Sequence, residues 1–148
     1  MVLSADTMVY SKFLNKIIGK PNSVEEFREF MIAMTKDYSI CASGMALALY
    51  KREDREIKTL KIVKDVDSAK IYKEMTEEDM NDYIDLLNGS YVKYASGFTI
   101  KSSLAYVKKI EGDYGSIIGI PTFKLNLAIK EIGRTIEKLI VHKSYWYL

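Results

Sequence analysis

Phe98–Val141 reads FTIKSSLAYVKKIEGDYGSIIGIPTFKLNLAIKEIGRTIEKLIV, and its patterning decides the fold expected of this chain. Two turn-like steps, Ser102-Ser103 and Glu111-Gly112-Asp113, separate three runs rich in strand-forming residues, over 98–102, 104–110 and 115–120. After Pro121, Leu125, Ala128, Ile129, Ile132, Ile136, Leu139 and Ile140 recur at helical spacing, with Lys124, Lys130, Glu131, Arg134, Glu137 and Lys138 around them. Three short strands closed by one amphipathic helix over 123–141 is the local reading. The stretch carries no phosphate loop, because Gly112-Asp113-Tyr114-Gly115-Ser116 is not followed by Gly-Lys-Ser/Thr.

Upstream, Thr76-Glu77-Glu78-Asp79 places three acids where a helix N-terminus favours them, and Met80, Tyr83, Ile84, Leu87 and Tyr91 extend that helix to about Tyr94. Tyr38–Tyr50 is small and apolar and reads as a buried strand that turns through KREDRE into a second strand over 57–63, with 64–75 as an irregular connector. Ser23 and Glu26 form a capping box ahead of Phe27, Phe30, Met31 and Met34, so a helix spans 24–36. Val9, Phe13, Ile17 and Ile18 line one side of a further helix over 4–18, with Ser4 or Asp6 as N-cap and Gly19-Lys20-Pro21 as its end. The expected class is α+β: a five-stranded antiparallel sheet flanked by helices, order α-β-β-α-β-β-β-α, with an extra N-terminal helix. The expected divisions are an accessory helix at 1–20, a domain at 21–142 and an aromatic tail at 143–148.

With 148 residues, 48% hydrophobic and 28% charged, the chain suits one globular domain. Its 22 basic and 20 acidic side chains leave a net charge of +2, too even for a nucleic-acid binder, and Arg occurs only at 28, 52, 55 and 134. A lone Cys41 excludes an intrachain disulfide and suits a reducing cytoplasm. The N-terminus lacks the charged and apolar regions of a signal peptide, and no apolar run is long enough to span a membrane.

Candidate chemistry is sparse. Asp65-Val66-Asp67 begins like a calcium loop, but Lys70 and Thr76 stand where that loop needs Gly and Glu. His142 has no orienting partner or nucleophile in any motif, and Cys41 reads as a buried apolar residue. Lys101, Lys108, Lys109 and Lys124, interleaved with Tyr106 and Tyr114, are the nearest approach to a single-strand-binding surface. No catalytic, metal-binding or cofactor-binding residue is expected.

The element order from Ser23 onward, the pattern FTIKSS, LAYVKKI, EGDYG, SIIGIP, NLAIKEIGRTIEKL, the Asn126-Leu127-Ala128-Ile129 start of the last helix and the basic Arg134 resemble the Roadblock/dynein light chain domain. That resemblance covers about 23–142 and departs from the family in the glycine-free Lys51–Arg55 turn and the long 64–75 segment. It implies a non-enzymatic, cytoplasmic homodimeric scaffold that binds a small Ras-like GTPase or a signalling or motor complex. It also implies a dimer surface of Met80, Tyr83, Ile84, Leu87, Tyr91, Phe98 and Ile100. Tyr145, Trp146, Tyr147 and Leu148 are candidate contacts for a second protein, since Trp and Tyr dominate interface hot spots. Two rival readings are a profilin-, PAS- or GAF-like ligand sensor with an apolar pocket, and a single-stranded nucleic-acid binder.

Overall fold

The computed structural model describes residues 1–144, with side chains through Glu137; the aromatic tail Tyr145, Trp146, Tyr147 and Leu148 lies outside the described residues. The architecture is α+β, with five antiparallel strands in one sheet and five α-helices. The strand count agrees with expectation, and three of the five expected strands are found, while those over 98–102 and 115–120 give way to helices and two unexpected strands open the chain.

The chain opens with a hairpin in place of the expected helix over 4–18: β1 (Val2–Ser11) turns back into β2 (Lys16–Ile18). Val9 and Ile18 pair across it and are both buried, and Asn15 takes a left-handed φ of 51° at the turn. The spacing of Val9, Phe13 and Ile17 mimics a helix, but Phe13 and Ile17 are exposed and the run VLSADTMVYS alternates in and out of the core at its end. Helix α1 (Val24–Lys36) follows as expected, capped by the Ser23 hydroxyl accepting from the Glu26 N–H at 3.2 Å. The Glu26 carboxylate turns to the Asn22 N–H instead of completing the box on Ser23.

β3 (Ser39–Glu53) and β4 (Glu56–Lys73) form the long central hairpin, turning at Asp54 with φ 53°. The segment expected to be an irregular connector, 64–75, is mostly β4. Its Lys, Asp and Ser residues are poor strand formers, but continuous pairing with β3 from Ile71 to Lys61 overrides propensity. Helix α2 (Glu77–Leu87) is closed by a complete Thr76–Asp79 capping box and stops at Asn88, whose φ of 42° ends it short of Tyr94.

The stretch from Phe98 departs furthest from its reading. Thr99 caps a short helix α3 (Ile100–Ser103), where a strand over 98–102 is expected. Of the three expected strands only the middle one survives, as β5 (Val107–Gly112) against β4. In place of a strand over 115–120 stands helix α4 (Tyr114–Ile118), capped by Asp113. Gly119 closes it at φ 110°, and a Cβ on Gly115 would come within 2.4 Å of the Ile120 carbonyl. Helix α5 (Thr122–Ser144) matches the expected closing helix.

The sheet order is β2-β1-β3-β4-β5. Successive side chains on a strand point to opposite faces, and the odd-numbered residues of β3 face the helices. Cys41 packs with Phe30 and Met34 of α1, and with Ile117 of α4 at the margin. Met45 and Leu47 pack with Ala128 and Ile132 of α5. A second helical cluster, Phe27, Met31, Met75, Met80 and Tyr83, closes α1 against α2. The even-numbered face of the sheet carries no such cover: Met8, Ile62 and Val66 are 56%, 46% and 62% exposed.

Candidate functional site

On that open face lies a solvent-facing trough of about 530 Å³. Cross-strand register places Asp6 of β1 beside Gly44 of β3 and Val66 of β4, with Ser4, Ala46 and Lys64 in the adjoining row. Gly44 and Ala46 contribute almost no side chain, so the floor is main chain and methyl. A Cβ on Gly44 would meet Val66 at 3.7 Å, an ordinary contact, so the floor is bare without steric need. Asp6 and Lys64 stand on opposite banks, with Cα atoms about 12 Å apart by strand spacing and rise. Among the described residues the Asp6 carboxylate accepts one hydrogen bond, from the Thr7 N–H at 2.9 Å, and neither Asp6 nor Lys64 has an ion-pair partner.

Under the floor, three groups lock the strands. The Ser43 hydroxyl donates to the Ser116 carbonyl at 2.7 Å, so the Thr7 hydroxyl, 2.6 Å away, is the donor to Ser43. This chain ties β1 to β3 and both to α4, one residue from Asp6 and Gly44. A free acid and a free ammonium thus flank a flat floor on a rigid backing, a layout suited to a ligand carrying phosphate and a planar group.

A second polar group sits inside the covered face. Lys73 Nζ is 2.8 Å from Ser103 Oγ and 4.0 Å from the centre of the Phe98 ring. Since Ser103 donates to the Thr99 carbonyl, it accepts from Lys73. Burial lowers the Lys73 amine to about 8 and raises the neighbouring Cys41 thiol to about 11. This pair clamps the α3 segment to the sheet and is closed to solvent.

The residues singled out from sequence fall elsewhere. Met80 and Tyr83, expected at a dimer surface, are buried in the chain's own core. Tyr91 and Phe98 pack on Phe27, Ile84 and Leu87 flank the same cluster, and Ile100 begins α3 instead of lying on a strand. Lys108, Lys109 and Lys124 are paired with Glu74, Glu111 and Asp65, which removes most of the basic surface. The side chain of His142 lies outside the described ones. Asp6, Gly44 and Lys64 were missed; the available signal was an acid embedded in a strand-like run, VLSADTMVY, read instead as a helix cap.

A family model for Maf-like proteins matches residues 1–132. The chain belongs to the Maf-like protein family. Among curated relatives, a dTTP/UTP pyrophosphatase of Alkaliphilus oremlandii (strain OhILAs) is 29% identical over 131 residues, 88% of this chain and 62% of the relative. One of Clostridium botulinum (strain Okra / Type B1) is 29% identical over 135 residues, covering 90% of this chain and 64% of the relative. One of Methanosarcina barkeri (strain Fusaro / DSM 804) is 28% identical over 138 residues, 92% of this chain and 64% of the relative. The chain therefore spans less than two thirds of the length of these relatives.

Maf membership overturns the Roadblock resemblance. The match takes in residues 1–22, which that resemblance left out, and the element order from Ser23 differs from the scaffold domain at α3 and α4, where strands were expected. The relatives carry the names of pyrophosphatases, so the non-enzymatic scaffold and its GTPase or motor partner fall with it. Hydrophobic spacing had matched a pattern that many mixed α+β chains share. No helix among the described residues is long and apolar enough to cross a membrane.

Proposed function

We propose that this Maf-family chain works as a nucleotide pyrophosphatase on a pyrimidine nucleoside triphosphate such as dTTP or UTP, with the open-face trough as its active site. The observation that carries this reading is the Asp6 carboxylate facing the Lys64 ammonium across the bare Gly44–Ala46 floor, neither with an ion-pair partner among the described residues. Lys64 attracts the triphosphate. Gly44, Ala46 and Val66 accept the flat, less polar part of the nucleotide.

In the chemical step, water attacks the α-phosphorus and its proton passes to the Asp6 carboxylate. The bond from the α-phosphorus to the bridging oxygen breaks, and pyrophosphate leaves with that electron pair. Triphosphate chemistry ordinarily employs a divalent cation that neutralises the phosphate oxygens. Magnesium keeps several waters and takes one or two carboxylates beside phosphate. Asp6 would supply one such carboxylate, and the described residues contain no cluster of three His, Cys, Asp or Glu. A cytoplasmic location follows from the same reading, since free nucleoside triphosphates are held there.

The test is pyrophosphate release from dTTP and UTP, with dATP and dGTP as comparisons, in the presence of magnesium. Asp6→Asn is expected to lower the rate about 10²–10⁴-fold without lowering the melting temperature. Equal rates for the Asn variant and the parent would remove Asp6 from the mechanism and the trough from the active site.

A further inference from the structure

Gly112-Asp113-Tyr114-Gly115-Ser116 is not a phosphate loop, and the fold gives its glycines and its acid another use. A Cβ on Gly112 would come within 2.5 Å of the Ser68 carbonyl, so only glycine lets β5 run against β4 and turn at φ 115° into α4. Asp113 then holds the start of α4. Its Oδ1 accepts from the Gly115 N–H at 2.9 Å and the Thr122 hydroxyl at 3.0 Å, which ties α4 to the first turn of α5. The short helix so placed aims the Ser116 carbonyl at the Ser43 hydroxyl, 2.7 Å away. Gly119 closes α4 beside Thr7, where a Cβ would stand 3.6 Å from the Thr7 hydroxyl oxygen. Thr7 joins this anchor to the trough. Its hydroxyl donates to the directly opposed Ser43 at 2.6 Å, and its N–H donates to Asp6 Oδ1 at 2.9 Å. The N–H and C=O of one residue face the same side of an antiparallel strand, so a Thr7 main chain turned to Asp6 leaves the tie to Ser43 to the side chain. Ser43 is wholly buried, which shields that tie from water.

We propose that Thr7 is the positioning residue of the trough. Through Ser43 and Ser116 it fixes the Asp6 carboxylate to α4, holding Oδ1 and leaving Oδ2 as the oxygen that takes the proton from the attacking water. The Gly112–Ser116 stretch is then the far anchor of the site, more than a hundred residues along the chain from the acid it steadies. Rotation of Thr7 about β1 would carry its N–H off Asp6, and the buried hydroxyl chain opposes that rotation. The catalytic half of the proposal rests on the pyrophosphatase reading; the linkage from Asp6 to α4 does not.

Thr7→Val is the direct probe, since it keeps the branched shape and the N–H and removes the one hydroxyl. It is expected to lower kcat for pyrophosphate release about tenfold and to leave KM within about twofold, because the groups that meet substrate are untouched. Thr7→Ser restores the donor and is expected to return kcat to within about twofold of the parent. Asp113→Ala, at the far end, is expected to lower kcat as well. Combined with Thr7→Val it should lose no more than the larger single loss, since both act through one chain. Hydrogen exchange at the residue 7 amide is the readout that needs no activity. It is expected to be about fivefold faster in Thr7→Val than in the parent, and parental in Thr7→Ser. Parental kcat in Thr7→Val overturns the proposal and leaves the pyrophosphatase reading standing. A loss that Thr7→Ser does not recover, or fully additive losses in the double variant, also overturns it. A parent inert toward every nucleotide removes the pyrophosphatase reading, and the exchange series then decides the linkage: equal rates in parent and Thr7→Val remove it.

Discussion

The two faces of the sheet are made from the same strands and differ in what they do. Odd-numbered residues of β3 meet α1, α4 and α5, and Cys41, Met45 and Leu47 are almost wholly removed from water. Even-numbered residues of the same strand form the floor of the Asp6–Lys64 trough, beside Met8 and Val66 that remain exposed. Alternation with a period of two lets one strand bury a core on one side and leave the other side open for the proposed site. Substitutions should therefore separate cleanly by face.

The largest effect on stability is expected in the helical layer behind the covered face. Phe27 is wholly buried, with rings of Tyr91 and Phe98 at 5.0 and 5.5 Å. Phe27→Ala should cost about 3–5 kcal/mol in urea unfolding, and a loss under 1 kcal/mol would mean that this cluster is not a core.

Next comes the Lys73 clamp, read through pH. Burial holds the folded Lys73 amine at about 8 against an ordinary 10.5. Over the window between those values the unfolded chain keeps a proton that the folded chain has lost, so stability rises with pH there, by up to about 3 kcal/mol. Cys41, raised by burial from 9.0 to about 11, acts in the opposite sense, because the unfolded thiol ionises first. From about pH 8 to 9 the lysine outweighs the thiol, and urea titrations should show the parent gaining about 0.5–1 kcal/mol. Lys73→Met should abolish that gain; an unchanged slope would place the ammonium in water.

Ser43→Ala is expected to cost about 1–3 kcal/mol, since it leaves the Ser116 carbonyl and the Thr7 hydroxyl without their buried partner. The same change should lower pyrophosphate release by loosening β1 beside Asp6. The smallest effect belongs to the open face: Val66→Thr, at 62% exposure, should shift stability by less than about 0.5 kcal/mol. A larger loss would show that this face is covered in solution.

Helices α1, α2 and α5 were legible because a capping residue followed by a 3.6-residue apolar period is a local signal. Ser23 before Phe27 and Thr76 before Met80 are such signals, and both caps are in place. β4 was half legible, since Lys64-Asp65-Val66-Asp67-Ser68 has the composition of a loop and becomes a strand only through β3. α3 and α4 were misread because Thr99-Ile100 and Ile117-Ile118 have β-branched side chains, whereas Thr99 and Asp113 cap short helices in this context. The trough was not legible at all. Asp6, Gly44 and Lys64 lie far apart in the chain and share no spacing rule, because cross-strand register alone makes them neighbours.

By itself, then, the order of residues determined the α+β class, the three long helices and the apolar stripes they bury, because these depend on contacts within a few residues. Tertiary structure decided which segments became strands, which face stayed open and which acid stands free on it. Those outcomes depend on pairing between distant strands, where backbone hydrogen bonds and burial outweigh local preference. Phe98–Val141 shows both cases: its closing helix could be read directly, whereas the fate of the first half or so, 98–120, was settled by pairing with β4 and packing against α1.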